Sequence, residues 1–363
     1  MAIGAERILT ERELNRAVLA RQLLLERART PIPRALERIA GIQAQYAPSM
    51  YVGLWSRLAG FERGQLTRAL ERRAVVQGTL MRATIHLVSR GDYWPLVLAI
   101  RDARRAWWVR AHRGRLAESD ATAAAATVRR RLAAGHTARR QLAEGLDTML
   151  FNSAHVWLDI VRIPPSGTWE RRRADVYALA EEWIGPPGAT AEQGLAHLVR
   201  RYLQGFGPAA PAEIADWAGL PVRQVNDLLE TLDLRRFRDE RGGVLVDLPR
   251  LPLPSPDAPA PPRFLPTWDA TLLAHCRRAQ ILPELHRPRV FSTKTPQSTE
   301  TFAVDGQVAG TWKWNGATIE LAPFGQLGRE ASEQLDAEAV ALAELHRERA
   351  GGRGGPARVA PPA

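Results

Sequence analysis

PAEIADWAGLPVRQVNDLLETLDLRRFRDERGGVLVD, residues 211–247, is the stretch whose reading decides the fold. Pro211 to Trp217 carries a short helical pattern that Gly219 ends, and Pro221 starts another helix running to about Leu232, since proline suits a first helical position. Arg235 to Arg238 and Val244 to Asp247 are strand-like and flank Glu240-Arg241-Gly242-Gly243, a turn rich in residues that tolerate unusual backbone angles. With the helical pattern of Leu195 to Phe206 in front, the order is three helices and then a β-hairpin.

The same order recurs near the start. Leu14, Val18, Leu19, Leu23 and Leu24 have helical spacing, broken at Pro31 and Pro33. Helices are expected over Arg34 to Gln45, Met50 to Leu58 and Gln65 to Arg72, followed by strands at Val75 to Thr79 and Thr84 to Val88. Helices closed by a hairpin are the order of the winged helix-turn-helix. Between the two units, helices are expected from Asp120 and over Thr137 to Leu150, then a strand from Val156 to Ile163. A helix opened by Ser166 or Thr168 and continuing from Trp169 to Trp183 completes a second, less regular unit. Pro249 to Pro262 reads as an extended spacer. Thr299 to Val304, Gln307 to Lys313 and Ala317 to Leu321 read as a three-stranded meander turning at Asp305-Gly306 and Asn315-Gly316. A helix over Leu327 to Glu348 and a disordered tail, 351–363, close the chain. The fold class is therefore α+β, mainly helical: three tandem winged-helix units (10–115, 116–190 and 191–248), a linker (249–263), and a C-terminal β element with its helix (264–350).

Composition narrows the chemistry. The 363 residues carry a formal net charge of +11, which suits a polyanionic partner because cations facing phosphates release condensed counterions. A coding bias toward alanine and arginine would produce the same excess, and Lys294 and Lys313 are the only lysines. Cys276 is the single cysteine, so intrachain disulfides, thiolate zinc sites and iron–sulfur clusters are excluded. The eight histidines are scattered, and no metal or cofactor is expected. No run of about twenty apolar residues occurs, so a membrane is not expected and the cytoplasm, nucleoid-associated in a bacterium, is the natural location. No phosphate-binding glycine loop appears, nor does any carboxylate dyad form from Glu37, Asp92, Asp102, Asp269 or Glu284; Asp269 reads as a structural cap.

Four stretches carry a more specific signal: Gly41-Ile42-Gln43-Ala44-Gln45; 80–88, LMRATIHLV; 265–273, LPTWDATLL; and 304–312, VDGQVAGTW. In this order they resemble the winged-helix family of the crosslink-repair DNA glycosylases AlkZ and YcaQ. The resemblance implies three tandem winged-helix units wrapped in a C shape around duplex DNA. It also implies a catalytic Gln-Φ-Gln, Φ being aliphatic, in the AlkZ branch, where the YcaQ branch has Asp at the second position. Gln43 and Gln45 match the AlkZ pattern with Ala44 between them, placed at the end of an early helix. The activity so implied is a DNA glycosylase for bulky N-alkylated (N7 or N3) purines and interstrand crosslinks in double-stranded DNA. A monomer is expected, and so is a monofunctional enzyme without lyase chemistry, since a Schiff base needs an amine near the sugar carbon and the chain offers only Lys294, Lys313 and its amino terminus. An amide both donates and accepts hydrogen bonds, so a pair of them can hold water against a cationic, already labile base.

Further DNA contacts are expected from Arg82 and His86 at the first hairpin and from the basic run Arg171-Arg172-Arg173. On the C-terminal hairpin, one of the i, i+2 pair Trp312 and Trp314 is expected to stack on DNA, and Lys313 between them to reach a phosphate. The alternative reading is a non-catalytic winged-helix DNA-binding protein or transcriptional regulator. Against it, the helix from Pro221 carries Asp227, Glu230 and Asp233, of the wrong sign for a phosphate surface.

Overall fold

The computed structural model describes residues 7–275, 278–292 and 298–348, so the expected tail, Cys276 and Lys294 lie outside the described residues. A first strand, β1 (Ile8–Leu9), leads into the helix Glu11–Arg21, whose start is fixed by a reciprocal cap. The Thr10 hydroxyl accepts from the Glu13 amide at 3.2 Å, and the Glu13 carboxylate accepts from the Thr10 amide at 2.9 Å.

The helix Ile32–Ile39 stops short of the glutamines. Ala40 and Gly41 both enter the left-handed region, at φ 61° and 80°, and redirect the chain into β2 (Ile42–Gln43). Gln43 and Gln45 therefore do not sit on the end of a helix, as the sequence suggested; they belong to an edge strand and its extension. Position 41 tolerates no side chain, because a Cβ there would lie 2.9 Å from Val88 and 3.0 Å from the Leu87 carbonyl.

Two helices, Ala47–Trp55 and Arg63–Glu71, precede the hairpin of β3 (Val75–Thr79) and β4 (Ile85–Ser89), close to the expected positions. β2 adds to β4, pairing Ile42 with Leu87 and Gln43 with His86. The helix Arg90–Ala111 follows, then the helices Glu118–Ala133, Arg139–Leu142 and Thr148–Trp157.

The middle unit departs from expectation in two places. Residues expected to begin a strand at Val156 finish a helix, and only β5 (Ile160–Arg162) is extended. The helix expected over Trp169 to Trp183 is absent; an irregular loop reaches β6 (Tyr177–Leu179) and the one-turn helix Ala180–Ile184. The hydroxyls that read as caps tie this loop instead. Ser166 accepts from the amides of Asp175 at 2.6 Å and Val176 at 3.1 Å, and Thr168 accepts from Arg171 at 3.3 Å. Trp169 is pulled down to 6 % exposure against Tyr51, ring centroids 5.6 Å apart. Tertiary burial of one indole and three competing amides outweighed the local cap signal. β5 and β6 join the free edge of β3, so first and second units share one antiparallel sheet ordered β2-β4-β3-β5-β6.

The third unit follows the sequence reading closely. Helices Ala191–Phe206, Pro211–Ala218 and Val222–Leu229 precede the hairpin of β7 (Arg235–Asp239) and β8 (Val244–Asp247), whose turn is held by Asp239 accepting from Gly243 at 2.7 Å. β1 pairs with β7 in parallel, and a buried bidentate ion pair between Arg21 and Asp247 (2.7 and 2.8 Å) clamps the first helix to this hairpin.

Beyond the proline-rich stretch, β9 (Arg263–Leu265) adds a fourth strand to the expected meander of β10 (Thr301–Val304), β11 (Gln307–Trp314) and β12 (Ile319–Pro323). The helix Arg329–Arg347 covers it. Phe264, Phe302, Trp312, Leu342 and Leu345 share one apolar core with Leu36, Met50, Tyr51 and Leu54, so the C-terminal element is seated on the helices around the glutamines. A second buried pair, Arg57 with Asp269 at 3.0 and 2.9 Å, joins the same two regions. Asp269 also accepts from the Thr271 amide at 3.0 Å, capping the helix Ala270–Leu273.

Candidate functional site

Gln43 and His86 are directly opposed across the β2–β4 ladder, which puts their side chains on one face of the sheet. The third member of the row is Gly78, where the Tyr93 ring occupies the space a Cβ would need. Gln43 is 7 % exposed, and among the described residues nothing hydrogen-bonds its amide. Gln45 is exposed. The Ala44 amide donates to the Ile85 carbonyl at 2.7 Å, and the next ladder position is filled by a side chain, the Ile85 amide donating to Gln45 Oε1 at 3.3 Å. The Gln45 oxygen is thus used within the ladder, and its NH2 group is left to donate elsewhere.

Two hollows flank the Gln45–Tyr46 step. One, of about 330 Å³, is lined by Gln45, Thr79, Ile85, Arg139, Asn152, His155, Arg162 and Tyr177, between the first hairpin and the second unit. The other, of about 650 Å³, is lined by Tyr46, Ser49, Arg172, Glu300, Trp312, Lys313, Trp314 and His346, between the first unit and the C-terminal element. Arg172 spans the ridge: its Nη1 donates to the Tyr46 hydroxyl at 3.0 Å. Among the described residues no group of three histidine, cysteine or acidic side chains is placed to hold a metal ion.

The residues read from sequence divide into those brought to this site and those held elsewhere. Gln45 lines the smaller hollow; Arg172 and Lys313 line the larger one, both exposed. Arg171 and Arg173 are exposed on the same loop, at 3.4 and 3.7 Å from Asp175. Arg82 occupies the β3–β4 turn at φ 52°, with Nη1 3.4 Å from the Leu273 carbonyl of the C-terminal element and 3.9 Å from Asp216 of the third unit, so it joins the first hairpin to both. His86 is 4 % exposed, not presented to a duplex; burial pushes its pKa down to about 4, Arg82 adds to this, and its Nδ1 lies 3.1 Å from the Thr84 carbonyl. Trp312 is 5 % exposed, packs edge-on to Phe264 and donates from Nε1 to the Leu265 carbonyl at 3.0 Å, so the stacking expected of one of the pair is not available to it. Its neighbour Trp314 is partly exposed and stacks on His346 at 4.8 Å. Alternation along β11 sends residue 312 into the core and 313 outward, which the pattern alone left open.

Sequence reading missed the far wall of the smaller hollow. Arg162 is buried at the end of β5, its Nη1 3.3 Å from the Thr79 hydroxyl, and burial lowers its pKa. His155 packs against Tyr177; burial first, then Arg162 and Arg139, push its pKa down to about 3, so it is neutral at physiological pH. The available signal was an arginine closing an apolar strand, Ile160-Val161-Arg162, where a solvent-facing charge would not be expected to end up buried.

The AlkZ-like DNA glycosylase model matches residues 36–345. No curated protein sequence matches the chain. Among solved structures, the DNA glycosylase AlkZ of Streptomyces sahachiroi is similar at a TM-score of 0.79, with 18 % identity, covering 93 % of this chain and 97 % of that one. At that identity the likeness speaks for the fold, and the family match, spanning most of the sequence and including the Gln-Ala-Gln segment and the hairpin that orders it, places this chain in the AlkZ-like DNA glycosylase family.

Proposed function

We propose that this glycosylase removes bulky N-alkylated purines from duplex DNA by water attack at the sugar, with Gln43 and Gln45 as its catalytic residues. The observation that supports the reading is the Gln45 carboxamide at the edge of a hollow, its oxygen accepting from the Ile85 amide, two positions along from the buried Gln43. An N7-alkylated purine is cationic, so its glycosidic bond breaks with the electron pair going to the base and an oxocarbenium-like sugar left behind. Two preorganised amide dipoles stabilise that cation and orient water without a strong base. The water adds to the sugar carbon and its second proton passes to solvent.

The open hollows suit a lesion too bulky, or too firmly crosslinked, to be drawn into a deep pocket. Three winged-helix units at 10–115, 116–190 and 191–248 would carry the duplex past Gln45, with Arg172 and Lys313 contacting phosphates; the protein acts as a monomer, in the cytoplasm. Lyase chemistry has no place in this scheme, since an amine close to the sugar carbon is required for a Schiff base. Purified protein incubated with N7-methylguanine and crosslinked duplexes, followed by alkaline cleavage of abasic sites, tests it. Gln43→Ala and Gln45→Ala should each slow excision about ten- to a thousandfold with DNA affinity unchanged. Full activity in the double variant would remove the pair from the mechanism, and a tight consensus binding site without any excision would favour a regulator.

A further inference from the structure

The smaller hollow has an electrostatic peculiarity. Among the residues that line it, Arg139 and Arg162 carry charge and none is acidic. Arg162 is 7 % exposed, has no ion pair among the described residues, and its Nε has no hydrogen-bond partner. Asp159, three residues before it in the chain, is committed to Arg101 at 2.6 Å and Arg104 at 3.7 Å. His155 is held neutral, and its Nδ1 lies 3.1 Å from the Phe151 carbonyl, so it supplies no compensating charge. Arg139 reaches the hollow with its guanidinium carbon over the Phe151 ring, 4.8 Å from the centroid. The remaining polar wall is neutral, with the Thr79 hydroxyl, the exposed Asn152 amide and the Gln45 NH2 group able to donate.

A buried guanidinium without a carboxylate is costly, and an anionic ligand that accepts its hydrogen bonds, a phosphate above all, would offset that cost. Resting on the glycosylase reading of Gln45, there is a second reason to expect one here. The transition state is a sugar cation, and two bare guanidiniums beside it would oppose the reaction unless a negative charge lies between.

We propose that the cavity of Arg139, Arg162, Asn152 and Gln45 is a phosphate site that receives one backbone phosphodiester next to the damaged nucleotide. The anion offsets part of the charge of the two guanidiniums, lies between them and the developing oxocarbenium, and anchors the sugar against the glutamines. Arg139 and Arg162 are then positioning residues, acting on the sugar through the phosphate.

The test has three arms. In binding of undamaged duplex followed across salt concentration, Arg139→Met, at the half-exposed rim, should reduce the logarithmic salt slope by about 1, and Arg162→Lys by less. This arm needs no excision, so a protein inactive on every alkylated duplex would sink the glycosylase reading while leaving the phosphate site measurable. In excision of N7-methylguanine from duplexes bearing one neutral methylphosphonate, a single flanking position should slow the wild type tenfold or more, and Arg139→Met should add no further loss at that position alone. In thermal unfolding, inorganic phosphate distinguishes the free ion from the backbone. Stabilisation of the wild type by phosphate, lost in Arg139→Met, together with an unchanged salt slope would mean a free anion site and overturn the proposal. So would methylphosphonates that slow wild type and variant by the same factor at every position.

Discussion

At the scale of single residues, the protein keeps imidazoles neutral where its sequence would leave them titrating. An unfolded chain protonates histidine near pH 6.5, whereas burial holds His155 down to about 3 and His86 to about 4. The folded state thus binds fewer protons between those values, so the stability contributed by the neutral rings is whole above pH 6.5 and is lost as pH falls through 6 and 5. For His155 the loss between pH 7 and pH 4.5 amounts to roughly 2–3 kcal/mol on the usual conversion of pKa shift to free energy. Thermal unfolding of His155→Phe should show a correspondingly smaller drop over that range; equal drops in variant and wild type would show that His155 is not the group responsible.

At the scale of elements, the Gln-Ala-Gln segment depends on a backbone reversal. Gly41 at φ 80°, closed against Val88 and the Leu87 carbonyl, is what lets β2 leave the helix Ile32–Ile39 and dock on β4. Gly41→Ala should cost about 1–3 kcal/mol in denaturant unfolding, from the left-handed backbone and the two close approaches together. It should also lower excision more than a surface substitution of equal stability cost, because Gln43 and Gln45 lose their register against His86 and Ile85. Unchanged excision would show that the glutamines do not need the ladder. The helices and hairpins of the first and third units were legible because hydrophobic spacing, prolines and the Gly242-Gly243 turn all agree there. The segment from Ser166 to Asp175 was not, because its hydroxyls serve the loop's own amides and its Trp169 is buried by a partner more than 100 residues away, Tyr51.

At the scale of the whole molecule, buried ion pairs join regions distant in sequence: Arg21 with Asp247, and Arg57 with Asp269. Removing one partner strands the other's charge, so Asp269→Ala should destabilise the protein by about 3–5 kcal/mol and expose the core shared by Phe264 and Tyr51. A denaturation midpoint within error of the wild type would contradict that. The net charge of +11 should make duplex binding fall steeply with added salt and vary little with sequence. Selection of bound oligonucleotides checks this; a consensus of several base pairs would be the contrary result.

The sequence by itself determined the local parts: the third unit's helices and hairpin, the β10–β12 meander, the Gln-Ala-Gln motif and the family to which it belongs. These rest on periodicity, turn chemistry and residue identity, all of which act over a few neighbours. Only the tertiary structure decided that β2 is a strand edge, that two units pool their strands in one sheet, that Trp312 packs inward, and that Arg162 and Arg139 face Gln45 across a cavity. Such outcomes depend on which surfaces bury one another, and burial and charge pairing between residues far apart in the chain leave no local signature to read.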